Sequence, residues 1–152
     1  MTSRTDRLTF QLAYGDCDTV GIAYFAIYYR WMERLYSTWL YSHGLRVGEL
    51  AEQLGVVQVG ISSGATYHRP ARVFDELTCQ LVLGSVRTSS YTLEFEFTRD
   101  GELITRGTIA YACRDLDWNK TTIPDALRAA LDSLPARQGD VDGRGIPQPA
   151  RS

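Results

Sequence analysis

Residues 14 to 36 read YGDCDTVGIAYFAIYYRWMERLY, with Asp16 and Asp18 on either side of Cys17 and just ahead of an aromatic run. Gly15 and Gly21 bracket the acidic triplet and give the backbone freedom to turn tightly. Carboxylates before a helix have a structural use: an Asp there caps the first turn or closes an Asx turn. They also have a chemical one. The unpaired N–H groups and positive dipole end of a helix start help to keep a nearby carboxylate ionised, ready to act as base or nucleophile. The same N–H groups can bind the negative charge that develops on a carbonyl oxygen. Spacing alone leaves both uses open. A metal site is disfavoured, because no third and fourth ligand stand near the Asp-Cys-Asp cluster in sequence.

The flanking elements must hold these groups. RLTFQLAY (7 to 14) alternates Leu8, Phe10 and Leu12 with polar residues, the pattern of a strand with one buried face. Tyr24, Tyr28, Trp31, Leu35 and Trp39 recur at helical spacing, with Phe25, Met32, Tyr36 and Leu40 beside them. They predict a mostly buried helix of about four or five turns, stopped by Gly44 after His43. VGELAEQLG predicts a short second helix closed by Gly55. VVQVGISSGATYHRPA is strand-like, with Gly60 and Gly64 marking a bulge or a close backbone approach. ELTCQLVLGSV, SYTLEFEFTR and ELITRGTIAYACRD are three more strands, the last two joined by an Asp-Gly hairpin turn. TIPDALRAALDSL predicts a closing helix, with Thr122 as its cap and Pro124 in its first turn. Residues 135–152 carry almost no apolar payload and are expected to be a disordered tail, leaving 1–134 as a single domain.

Strands in succession imply an antiparallel sheet, hence an α+β fold in which the sheet wraps the apolar helix. Such a sheet leaves an edge strand and part of the helix uncovered, so a homo-oligomer built on a dimer is expected. The chain has 152 residues and a net charge of −2 with scattered basic residues, which excludes a nucleic-acid surface. Cys17, Cys79 and Cys113 lack CxxC spacing, which argues against a disulfide framework or a zinc site and fits a reducing cytoplasm. The N-terminal residues lack the apolar region of a signal peptide. Arg30, Glu33 and Arg34 interrupt the greasiest stretch, so no membrane span is expected.

The stretch YGDCDTVGIAYFAIYYRW resembles the signature of the 4-hydroxybenzoyl-CoA thioesterase family, and the resemblance covers roughly residues 8 to 134, including HRPARVFDEL. It implies the hotdog fold, a curved antiparallel sheet wrapped around a long central helix. It also implies an acyl thioesterase acting on an acyl-CoA or acyl-carrier-protein substrate without metal or cofactor, as a dimer or tetramer. In the family's pattern the second Asp of the loop is catalytic and falls on Asp18. The motif glycine falls on Gly21, and the oxyanion donor is the Phe25 backbone N–H. Tyr24 would form pocket wall, and Asp16 would be structural. Many bacterial relatives carry His in place of Phe25 and Asn in place of Ile27, which leaves Asp18 as the obvious acid–base group of the loop.

YYRWMERLY also resembles the helix of thioesterases that release chains from polyketide synthases, so a carrier-bound polyketide stands beside acyl-CoA as a substrate class. A non-hydrolytic acyl-binding hotdog protein, with Asp18 merely a turn residue, is the rival from another class. The resemblance puts Ser62 and Ser63 on the strand that approaches a partner's active site, to hold water or simply as strand residues. It puts Arg87 where a CoA or phosphopantetheine phosphate is contacted, and an exposed strand-end arginine is the alternative. His43 is read as a helix-end residue and His68 as surface or interface. Neither is paired with an acid as hotdog hydratases require.

Overall fold

The computed structural model describes residues 5–137. In chain order it contains β1 (Arg7–Gln11), a single 3-10 turn (Tyr14–Asp16), α1 (Ile27–Ser42), α2 (Leu50–Leu54), β2 (Val57–Tyr67), β3 (Glu76–Val86), β4 (Ser90–Arg99), β5 (Glu102–Arg114) and α3 (Asp125–Asp132). The strands form one antiparallel sheet in the order β1-β3-β4-β5-β2. This is the wrapped-helix, hotdog arrangement that the sequence predicts. Among the described residues no helix is long and apolar enough to cross a membrane.

The helix follows its apolar spacing. Tyr28, Trp31, Met32, Leu35, Tyr36, Trp39 and Leu40 are buried along it. It starts later than the aromatic periodicity suggested: Tyr24 and Phe25 stand ahead of it. The cause is a turn in which the Ile27 N–H donates to the Tyr24 carbonyl at 3.0 Å, so regular winding begins only there. At the other end Gly44 has φ +80° and the Leu45 N–H donates to the Leu40 carbonyl, the left-handed stop expected at Gly44. Asp100 and Gly101, both with positive φ, make the tight hairpin between β4 and β5.

The predicted bulge is at Gly60/Ser62 in β2, where Ile61 is left without a partner on β5. In α3, Pro124 occupies the N-cap position with an extended ψ of 147°, and no side chain caps the helix, Thr122 included. The chain also stays ordered past Leu134: the Leu83 N–H donates to the Pro135 carbonyl at 2.9 Å, and Arg137 lies 3.3 Å from Glu94. The rest of the expected tail, 138–152, lies outside the described residues.

Close approach of α1 to the sheet is permitted at Gly107 of β5. A Cβ built there would collide with the Met32 thioether, which is fully buried and would have to shift. Beyond it, the buried Tyr36 and Tyr91 hydroxyls lie 2.8 Å apart, and the Gln58 amide donates to both. Tyr111 stacks on Tyr36, its own hydroxyl pushed up to about 12 chiefly by burial. The packing at Gly107 yields a test. Gly107→Val should lower unfolding stability by about 1–3 kcal/mol through overpacking, read as a shifted denaturant midpoint at constant slope. Met32→Ala in the same chain should recover part of that loss, whereas strictly additive losses would show that the two sites do not touch.

Candidate active site

The loop from Ala13 to Ala26 is held by its own acidic residues. Asp16 Oδ2 accepts the Ala13 N–H at 2.8 Å and fixes the 3-10 turn. The Tyr24 N–H donates to the Asp16 carbonyl at 3.2 Å, closing the loop across its base. Between these points the chain forms a miniature hairpin. Cys17 bridges Ala23, and the Asp18 N–H donates to the Ile22 carbonyl at 3.0 Å. The Gly21 N–H donates to the Asp18 carbonyl at 2.9 Å, with Gly21 at φ +86°, a conformation that favours glycine.

The hairpin is docked onto the segment that crosses from β2 to β3. The Ala23 N–H donates to the Ala71 carbonyl at 2.7 Å, and Ile22 bridges Arg72. That segment is pinned in turn by Asp75, whose Oδ2 accepts the Arg72 N–H at 2.8 Å and Arg99 Nη1 at 2.7 Å. Burial pushes the Asp75 carboxyl up. The Arg72 N–H and the Arg99 guanidinium outweigh this and hold it below the usual carboxylate value.

Asp18, Phe25, Tyr28, Tyr67 and His68 line a cleft of about 320 Å³, closed on one side by Pro70 and Ala71. Asp18 Oδ1 accepts the Val20 N–H at 2.8 Å in an Asx turn, and Oδ2 meets no donor among the described residues. One oxygen of the aspartate therefore shapes the turn, while the other has no donor among the described residues. The Phe25 N–H has no acceptor among the described residues, although its carbonyl accepts the Tyr67 hydroxyl at 2.8 Å. Burial raises the Tyr67 and Tyr28 hydroxyls, so both stay protonated donors at neutral pH. The Cys17 thiol is raised by burial and by the Asp16 and Asp18 carboxylates, which makes it a poor nucleophile.

The structure brings Asp18 and Phe25 into one cleft and leaves the other expected residues elsewhere. Gly21 shapes the hairpin backbone. Tyr24 lies edge-on to Phe25 at 6.2 Å, outside the cleft lining. Ser63 pairs with Ile109 and shares the helix-facing side of β2 with Tyr67, while Ser62 faces the other way. Neither serine lines the cleft of its own chain. Arg87 follows β3, whose eleven residues run away from the loop for about 35 Å, so it cannot reach Asp18 within one chain. His43 packs against Trp39 at a ring distance of 5.0 Å. Tyr28, Tyr67 and His68 join the site unforeseen. The strand alternation around Tyr67 was the available signal, but β2 had no partner strand in the sequence to assign its face.

Two predictions follow from the pinning contacts. Asp75 stabilises the fold above its unfolded pKa of about 3.9, and that contribution is lost as pH falls through its lower folded value. Asp75→Asn should therefore cost about 1–3 kcal/mol at pH 7, with the gap to wild type closing in acid. Equal midpoints at pH 7 would exclude the pin. Tyr67→Phe frees the Phe25 carbonyl and should leave stability within about 1 kcal/mol while lowering turnover of any substrate cleaved in this cleft. Unchanged turnover would show that Phe25 needs no such support.

Residues 12–131 match the Thioesterase-like superfamily. A 1,4-dihydroxy-2-naphthoyl-CoA hydrolase of Prochlorococcus marinus (strain NATL2A) is 24% identical over 98 residues, 60% of this chain and 63% of that protein. The chain thus spans under two thirds of the length of that relative. The crystal structure of a 1,4-dihydroxy-2-naphthoyl-CoA thioesterase from Synechocystis has a TM-score of 0.76 at 19% identity, covering 84% of this chain and 96% of its own. The polyene-binding Dynemicin thioesterase has a TM-score of 0.74 at 21% identity, covering 88% and 99%. These likenesses show a shared fold, and the match over 12–131 shows more: the chain belongs to the Thioesterase-like superfamily of hotdog proteins.

Proposed function

We propose that this protein hydrolyses an acyl thioester, with Asp18 as the reacting carboxylate and the Phe25 N–H as the oxyanion donor. The observation that carries the reading is their juxtaposition: a carboxylate oxygen and a backbone N–H, both without partners among the described residues, border one apolar cleft. Asp18 Oδ2 takes a proton from water as it attacks the thioester carbon, or attacks that carbon itself to give an anhydride that water then opens. The carbonyl oxygen gains negative charge facing the Phe25 N–H. A fixed donor stabilises that charge more than it stabilises the neutral substrate. Collapse breaks the C–S bond, the sulfur leaves as a thiol, and the acid departs. No metal or cofactor takes part in these steps.

Ile22, Phe25, Tyr28 and Tyr67 give the cleft an apolar, aromatic lining that suits an aromatic acyl group, the kind named for the naphthoyl-CoA hydrolase relative. A carrier-bound polyketide is the second reading, favoured by the likeness to the polyene-binding thioesterase. The protein is proposed to work as a homodimer or a tetramer of dimers in the cytoplasm. In one chain Asp18 is exposed and the outer edge of β2 is unpaired among the described residues. A second copy along that edge would dry the site and bring the serines of β2 towards it.

The test is thiol release from a panel of aromatic and aliphatic acyl-CoAs and acyl-pantetheines, with wild type and Asp18→Ala side by side. The expected result is turnover that falls by about 10²–10⁴-fold in the variant while the circular dichroism spectrum is unchanged. Equal turnover would remove Asp18 from the chemistry. No turnover on any member, together with tight binding of the acyl-CoAs, would favour the non-hydrolytic acyl-binding protein. Label found in Asp18 after a single turnover in ¹⁸O-water would establish the anhydride route with water attacking the aspartyl carbon; trapping the acyl group on Asp18 with hydroxylamine detects the anhydride whichever carbon water attacks.

A further inference from the structure

A thioester sulfur leaves as a thiol only when a proton reaches it. Asp18 does not bring one on either route proposed above: it takes a proton from water, or it is itself bonded to the acyl carbon. Solvent is one donor, but a cleft closed by a second copy would exclude it. The other is a second protonated group in the cleft.

The lining narrows the choice. Asp18 stands on the loop, Tyr28 on α1, Tyr67 at the end of β2, and His68 and Arg69 just beyond it. Burial holds the Tyr28 and Tyr67 hydroxyls above the usual tyrosine value, so neither yields its proton readily. Arg69 stays charged and pairs with Glu102 of β5 at 3.2 Å. The His68 side chain is exposed and makes no hydrogen bond or ion pair among the described residues. Imidazole is the side chain best suited to hold and release a proton near neutral pH.

The main chain sets the place of this ring. The His68 and Arg69 N–H groups both donate to the Ile104 carbonyl, at 2.8 and 3.2 Å. On one side of His68 the Tyr67 hydroxyl holds the Phe25 carbonyl at 2.8 Å, and on the other the Ala71 carbonyl receives the Ala23 N–H at 2.7 Å. His68 therefore lies between two ties to the segment that carries Asp18 and Phe25. The cleft gathers three groups from three elements: a carboxylate on the loop, an N–H ahead of α1 and an imidazole past β2. A tetrahedral intermediate has three polar substituents to serve: the attacking oxygen, the carbonyl oxygen and the sulfur.

We propose that His68 is a catalytic residue of the hydrolysis, the general acid that protonates the leaving sulfur. The role rests on the hydrolytic reading of the Asp18 cleft. When water attacks, Asp18 Oδ2 takes one of its protons and the water oxygen bonds to the acyl carbon. As the C–S bond breaks, its electron pair passes to sulfur, which takes a proton from the His68 imidazolium. Free acid and thiol leave, and the proton on Asp18 returns to the ring through solvent, which restores both groups. If Asp18 attacks directly, the same ring protonates the sulfur and then takes a proton from the water that opens the anhydride. Either route starts with Asp18 ionised and His68 protonated, so activity rises with pH through the first ionisation and falls through the second.

The test compares wild type, His68→Gln and His68→Ala on two thioesters of the acyl group that wild type turns over fastest. One is the pantetheine thioester, whose alkylthiolate leaves less readily. The other is the 5-thio-2-nitrobenzoate thioester, whose thiolate leaves without a proton. His68→Gln should lower kcat/KM on the pantetheine thioester by about 10²-fold, and on the nitrobenzoate thioester by far less. The alkaline fall in the wild-type pH profile should vanish in the variant, and added imidazole should restore part of the activity of His68→Ala. Equal losses on both thioesters, or none on the pantetheine one, overturn the proposal. So does an alkaline fall that survives in His68→Gln. These outcomes remove the role of His68 alone, whereas a wild type that turns over no acyl group removes the hydrolytic reading and this role with it.

Discussion

Burial of the aromatic face of α1 against the sheet is the constraint on which the rest of the molecule depends. Side chains as large as Trp39, Tyr28 and Tyr36 can be dried only if sheet and helix approach closely, and the missing side chain at Gly107 lets Met32 sit against β5. Once the helix is seated, its N-terminus has one place to be. It points to the end of the sheet where β1 finishes and β3 begins, and the loop that feeds the helix must lie there too.

The loop is then fixed by a relay of backbone contacts rather than by side-chain packing of its own. The sheet order requires the chain to cross from β2, at one edge, to β3 near the other. That crossing passes under the loop, and Asp75 and Arg99 tie its far end to β4. Ala71 and Arg72 on the crossing hold Ala23 and Ile22. Asp18 and Phe25 are thereby set by a chain of main-chain hydrogen bonds leading back to the sheet. Such bonds position groups more reproducibly than a mobile side chain can.

The fold was legible because its signals are periodic and local: alternation in β1, helical spacing from Tyr28 to Trp39, an Asp-Gly turn at 100–101, and glycines that stop α1 and α2. Strand succession then gave the antiparallel class. The start of α1 was misjudged because aromatic periodicity continues through Tyr24 and Phe25, whereas the hydrogen bond at Tyr24 that delays the helix has no residue-type signature. The end of the domain was placed at Leu134 because Pro135–Arg137 carry no apolar pattern. Their attachment runs through a backbone carbonyl and an ion pair with Glu94, which composition does not record. Asp18 and Phe25 were singled out as candidates through their motif, and they border one cleft. Tyr67 and His68 were not, since their place beside the loop depends on a crossing between elements distant in sequence.

The same geometry explains why one loop can serve two purposes with two aspartates. Asp16 gives one carboxylate oxygen to the Ala13 N–H and its carbonyl to the Tyr24 N–H, and it does not line the cleft that Asp18 borders. Asp18 spends one oxygen on Val20 and keeps the other. An exposed carboxylate is a weak catalyst, because water screens it and competes for its lone pairs. The Phe25 N–H faces the same difficulty while it is open to solvent. On the proposed reading both groups need a dry neighbour, and an edge unpaired among the described residues that could supply one is β2, which ends at Tyr67 on the rim of their cleft. On the proposed reading, catalysis and assembly are therefore one requirement: the chain that builds the carboxylate and its donor leaves to a second copy the work of excluding water from them.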